Sequence, residues 1–173
     1  MGNTDQSRSL RRIAAASLVA GCLVPNLAGA VAAGDETTTT TQDVILARKV
    51  MMNSIEEYVN RINSMISARE INLPKARGYA DTVSVMLMAF PHLFPANTNQ
   101  WKPDATRDPG RDTYAAPEVW SKYADFYARA ASASKIAYNA SRATKEEEFK
   151  KFVAELRVGC DSCHGLYLKT DTK

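Results

Sequence analysis

Residues 144–167 read TKEEEFKKFVAELRVGCDSCHGLY. Phe149, Phe152, Val153, Leu156, Cys160, Cys163, His164 and Tyr167 recur at three- and four-residue steps, the period that gathers side chains on one stripe of an α-helix. Lys145, Glu146, Glu147, Glu148, Lys150, Lys151, Glu155, Arg157 and Asp161 fall off that stripe. Thr144-Lys145-Glu146-Glu147 matches a capping box, in which the threonine hydroxyl and the glutamate carboxylate satisfy each other's free backbone donors. The segment therefore predicts an amphipathic helix opening at Thr144. Both thiols and the imidazole fall on the face that the apolar residues commit to a protein interior.

Three more segments carry a helical period, and none alternates convincingly as a strand. From Asp43 to Ser67 the stripe is Val44, Arg48, Met52, Ile55, Val59, Ile62 and Ile66. A second helix starts near Pro74, a residue suited to a first helical turn, and uses Ala76, Tyr79, Val83, Met86 or Leu87, and Phe90 before Pro91 stops it. Residues 91–116 are dense in Pro, Asn, Asp, Gly and Thr and predict a long irregular connection. A third helix begins at Pro117 and carries Trp120, Tyr123, Phe126 or Tyr127, Ala130, Ala137 and Ala140. Trp120, Tyr123 and Tyr167 read as core aromatics. Four helices, two joined pairwise by short links, predict an all-α, antiparallel four-helix bundle over residues 43–173.

The first thirty residues differ in kind. Arg8, Arg11 and Arg12 precede an apolar run from Ile13 to Val24, and Ala28-Gly29-Ala30 supplies the small residues of a cleavage site. This is the pattern of a secretory leader over 1–30. Val19-Ala20-Gly21-Cys22 offers a rival, a lipoprotein leader that would leave Cys22 acylated and the protein attached to a membrane. The apolar run falls short of the roughly 20 residues a spanning helix needs. Residues 31–42, with five consecutive threonines, read as a flexible tether. The chain of 173 residues has a net charge of +3, but without the leader 19 basic and 18 acidic residues remain. No basic tract is left to support a phosphate-binding surface, which argues against nucleic acid as a partner.

Of three cysteines, only Cys160 and Cys163 lie outside the leader. A pair so close cannot close a long stabilising loop, so its purpose is local chemistry. Two thiols three residues apart on a helix point the same way, as they must to add across the two vinyl groups of a haem. His164 stands one turn beyond Cys160, placed to ligate the iron. Cys160-Asp161-Ser162-Cys163-His164 is thus a c-type haem attachment pattern. Competing readings are a thiol-redox pair, which would want a strand–helix–strand context, and a zinc site, which would want four ligands where only Cys160, Cys163, His164 and the remote His92 are on offer. A plain disulfide across the turn is a third.

With that motif near its C-terminal end, the chain resembles the class II c-type cytochromes, the cytochrome c′ family, over about residues 43–169. Arg48 and Met52 are similar to the family's Arg-x-x-x-Met/Leu pattern on the first helix. The resemblance implies that Arg48 lies near a haem propionate and that Met52 faces the iron. Pro91-His92-Leu93-Phe94-Pro95 resembles a stretch of the low-spin branch, and Pro117-Glu118-Val119-Trp120 resembles the start of the family's third helix. One departure is plain: the arginine usual four residues after the histidine is Leu168 here, followed by Lys169.

The resemblance implies one covalent haem c, no enzymatic activity, redox partner proteins, and relatives that pair as homodimers. Ligation by Met52, with Met51 as a lesser competitor, would make a six-coordinate electron carrier, exported to the periplasm. That is the expectation. If Met52 only packs over the ring, the chain is a five-coordinate protein that binds NO or CO. A non-haem zinc or thiol-redox module is the remaining alternative.

Overall fold

The first long helix begins inside the expected tether, because Thr40 caps it. In the computed structural model, which describes residues 39–169 apart from 104 and 109, the Thr40 hydroxyl accepts from the Asp43 amide at 3.2 Å. The Asp43 carboxylate accepts from the Thr40 amide at 2.8 Å. This reciprocal cap starts α1 (Thr41–Ser67) two residues earlier than predicted. The leader, Cys22, and the tether up to residue 38 lie outside the described residues.

Helix α2 (Leu73–Ala89) opens on Asn72, whose side chain accepts from the Lys75 amide, with Pro74 in the first turn. The connection that follows is less irregular than its composition suggested. Two 3-10 turns, Phe90–Leu93 and Ala96–Thr98, fold back on the bundle, and Phe90, Phe94, Thr98 and Thr113 are buried. The third helix is not continuous. A short α3 (Glu118–Ser121) breaks at Lys122 (φ −125°, ψ 39°) before α4 (Tyr123–Arg142). The break turns Trp120 toward the connection, where its indole N–H donates to the carbonyls of Phe94 (3.1 Å) and Pro95 (3.2 Å). Tyr123 is not a core aromatic: it is exposed, and its hydroxyl donates to the Pro91 carbonyl.

Helix α5 (Glu146–Tyr167) starts two residues later than its sequence suggested. The Thr144–Glu147 capping box does not form, because Thr144 sits outside the cap position. Its amide donates instead to the Glu148 carboxylate, and Glu147 pairs with Lys150. Glu146, Glu147 and Glu148 still place negative charge in the first turn, where the helix dipole favours it.

The four long helices form the expected bundle. Helix α2 packs on α1 and α4, and α4 packs on α5. Small residues set the α2–α4 seam: Ala76, Ala80 and Val83 meet Ala133, Ala137 and Ala140, and the Ser134 hydroxyl donates to the Ser84 carbonyl at 2.8 Å. Fully buried Phe149 and Ile62 fill the end where α5 begins. On α1 the sequence stripe missed Ile45, which is fully buried beside half-buried Val44. Among the described residues the only β-pairing is the isolated bridge Ala115–Leu168. It is held by Ala116 N–H to the Tyr167 carbonyl (2.9 Å) and Lys169 N–H to the Tyr114 carbonyl (2.8 Å).

Candidate haem pocket

A cavity of about 730 Å³ lies between α1 and the C-terminal half of α5. That lies in the range of small-molecule and cofactor sites. Cys160, Cys163, His164, Met52 and Arg48 all line it, so the structure gathers every site residue singled out in the sequence at one place. The inner wall is apolar: Met52, Val59, Phe90, Phe94, Val119 and Phe126.

The two thiols sit one turn apart and half-buried. Cys160 packs toward Ile55, Leu87 and Leu156, and Cys163 toward Phe90, Phe126 and Tyr167. His164 is exposed, contrary to the buried face its stripe implied. The reason is that the helix face there borders the open cavity and not packed side chains. Met52 is half-buried and touches both of those apolar groups; Met51 packs beside it but does not line the cavity. His92 lies elsewhere, its ring 6.0 Å from that of Tyr127.

Arg48 is 3% exposed, a rare position for a guanidinium. Its Nη1 donates to the Thr98 hydroxyl (2.8 Å) and the Leu93 carbonyl (3.4 Å), and its Nη2 to the Thr98 carbonyl (3.3 Å) and the Thr113 hydroxyl. The cation also lies 4.6 Å from the Phe94 ring centroid and 5.6 Å from that of Trp120. All four acceptors are neutral oxygens, and burial pushes the Arg48 pKa down to about 10. A positive charge bordering an apolar cavity is thus left short of a counter-charge, which an anionic group in the cavity would supply.

A second set of contacts fixes α5 to α4. Arg129 donates to the Ser162 hydroxyl at 2.9 Å and to Asp125 at 2.7 Å, and the Tyr167 hydroxyl donates to Asp125. This clamp grips α5 on both sides of His164. Nothing in the sequence pointed to it, because Arg129 meets Ser162, and Asp125 meets Tyr167, only once the helices pack.

Burial raises both thiol pKa values, with the Asp161 charge adding at Cys160; Cys163 is pushed up from 9.0 to about 11. The fold holds the Cys163 proton more tightly than the unfolded chain does. That contribution is intact below pH 9 and is lost as the pH climbs toward 11. Haem-free chain is accordingly expected to react with an aromatic disulfide reagent at pH 8 at least tenfold more slowly than the same chain in denaturant; equal rates would contradict this burial. Such thiols are poor redox nucleophiles. Among the described residues no three His, Cys, Asp or Glu side chains cluster to hold a metal ion.

The family model described as Cytochrome C' matches residues 43–167. The chain belongs to the cytochrome c′ family. Solved cytochromes c′ share its fold. That from Shewanella frigidimarina has 18% identity and a TM-score of 0.65, covering 76% of this chain and 98% of its own. That from Rubrivivax gelatinosus has 23% identity and a TM-score of 0.63, covering 75% and 97%. A nitric oxide complex of a mutant from Alcaligenes xylosoxidans has 13% identity and a TM-score of 0.63, covering 76% and 98%. No curated protein matches the chain.

Membership in the cytochrome c′ family makes covalently bound haem c, with its iron, the cofactor of this protein. The cavity suits it on three counts: paired thiols on one helix face, an apolar interior wall, and an undercompensated cation at the rim.

Proposed function

We propose that this cytochrome c′ is a gas-binding haem protein that takes up NO or CO, with Met52 a packing residue of the haem cavity and not an iron ligand. Cys160 and Cys163 would hold the haem through thioether bonds, and His164, on the same cavity wall, would ligate its iron. The haem supplies an iron that can bind a small gas or exchange an electron. The chain's own residues do the rest. Phe90, Phe94, Val119 and Phe126 keep water out, and the Asp125–Arg129 clamp holds the attachment helix in place.

The observation that carries this reading is the inner wall. Met52 is one of a continuous set of apolar side chains packed against two hydrophobic groups, the setting of a core methionine. The nitric oxide complex of a relative with this fold points the same way. This reverses the order expected from the sequence, where the electron carrier came first.

The test is the absorption spectrum of the ferrous protein, before and after CO, with Met52→Leu alongside. A high-spin spectrum that converts on adding CO and is nearly identical in the variant is expected. A low-spin parent spectrum lost in Met52→Leu would sink the proposal and restore the second reading, an electron carrier with Met52 as the sixth ligand. That reading keeps its place because Met52 does line the cavity.

Export follows from the leader expected over residues 1–30. Among the described residues no helix is long and apolar enough to cross a membrane. A homodimer through the first two helices fits the exposed Leu46 and Val50 on α1 and Val85 and Met88 on α2. A cytochrome c′ of 16% identity is described as having an unusual ligand-controlled dimer dissociation.

A further inference from the structure

The two rims of the cavity differ in charge. At one end Arg157 stands with Glu56 and Asp161, so carboxylates outnumber cations. At the other, Arg48, Lys49 and Lys169 converge around Tyr114 and Thr113. Lys169 reaches that rim because the bridge between Ala115 and Leu168 folds the end of α5 onto the connection. Its ammonium lies 3.8 Å from Glu118 and 5.9 Å from the Trp101 ring centroid. The Lys49 ammonium donates to the Asp112 carbonyl at 3.1 Å and lies 5.8 Å from the Tyr114 ring centroid.

A haem bears its vinyl groups toward one edge and its two carboxylates toward the opposite edge. With the vinyl edge bound to Cys160 and Cys163, the carboxylates select the end of the cavity richer in cations. At that end Arg48 already directs four hydrogen bonds to the connection. The ammonium groups of Lys49 and Lys169 sit on long stems, are partly exposed at this rim, and would exchange present contacts for a carboxylate placed there.

The geometry points to Lys49 and Lys169 as the residues that bind the haem carboxylates, with Arg48 spent on holding the segment that covers them. Arg48 then acts on the carboxylates through field alone, and the hydrogen bonds come from the two lysines. This rests on the haem reading of the pocket and adds to it the residues at the anionic edge.

Resonance Raman spectra of the haem-loaded protein test the assignment, because the propionate bending band responds to the hydrogen bonds those groups accept. In Lys49→Gln/Lys169→Gln the band is expected to shift, and in Lys49→Arg/Lys169→Arg to stay near its parent position. The reduction potential of the glutamine pair is expected to fall as well, since removing positive charge disfavours the electron-richer state. Haem present with an unmoved band in the glutamine pair would overturn the lysine assignment alone. Absence of covalent haem from the parent protein would overturn the haem reading beneath it. If the glutamine pair is too unstable to purify, the single variants carry the same measurement, and a band unmoved in both has the same meaning.

Discussion

Replacing Cys160 and Cys163 together by serine is expected to remove covalent haem completely, from one haem per chain to none. The serine hydroxyl has nearly the volume of the thiol but does not add to a vinyl group, so packing toward Leu156 and Phe126 is kept while the bond is lost. Each single variant retains one sulfur in register with the cavity and should keep one thioether, at reduced yield. Intact mass of protein matured with haem-attachment machinery, before and after acid–acetone extraction, reads the result. A double variant that still holds extraction-resistant haem would show that the attachment lies elsewhere. A colourless parent would favour a zinc or thiol-redox module instead.

Truncating Phe149 to alanine is expected to cost about 3–5 kcal/mol of stability. The ring is fully buried among Ile62, Ala76, Ala80, Ala140 and Val153, at the end of the bundle away from the cavity. Alanines make up much of that wall, and they cannot extend into the vacated space, so the site collapses poorly and the cost falls toward the upper part of the range. Urea denaturation measures the loss. The absorption spectrum of whatever remains folded should match the parent, since nothing near Cys160 or Met52 has changed. A cost below about 1 kcal/mol would mean that the core there is loosely packed.

The bundle was legible because its helices bury a simple stripe, and stripes are a local property of sequence. The convergence of Cys160, Cys163 and His164 on one cavity wall was legible for the same reason, since it needs only the pitch of one helix. What escaped reading is nonlocal. The sequence placed Arg48 near a haem propionate but gave no sign of its hydrogen bonds to residues 45 to 65 positions away, a distance no periodicity covers. The Asp125–Arg129 clamp on Ser162 and the arrival of Lys169 at the cavity rim likewise depend on how helices pair and how the connection folds back. Proline and glycine density marked residues 91–116 as a loop, but the buried Phe94 and Thr98 within it make it part of the wall. Boundaries shifted at the caps: Thr40 opens α1 two residues ahead of the expected start, and Thr144 lies just outside the cap of α5.

The seam of alanines between α2 and α4 has a mechanical consequence. With so little side chain between them, the two backbones lie close and have no room to slide or tilt independently, so this half of the bundle behaves as a stiff plate. The covering segment on the other side is held instead by scattered side-chain hydrogen bonds, from Arg48, Lys49, Trp120 and Tyr123, and by the short pairing beside Leu168. Because α5 packs on α4, the stiffness of the plate carries over to the helix bearing Cys160, Cys163 and His164 and keeps their cavity wall in register.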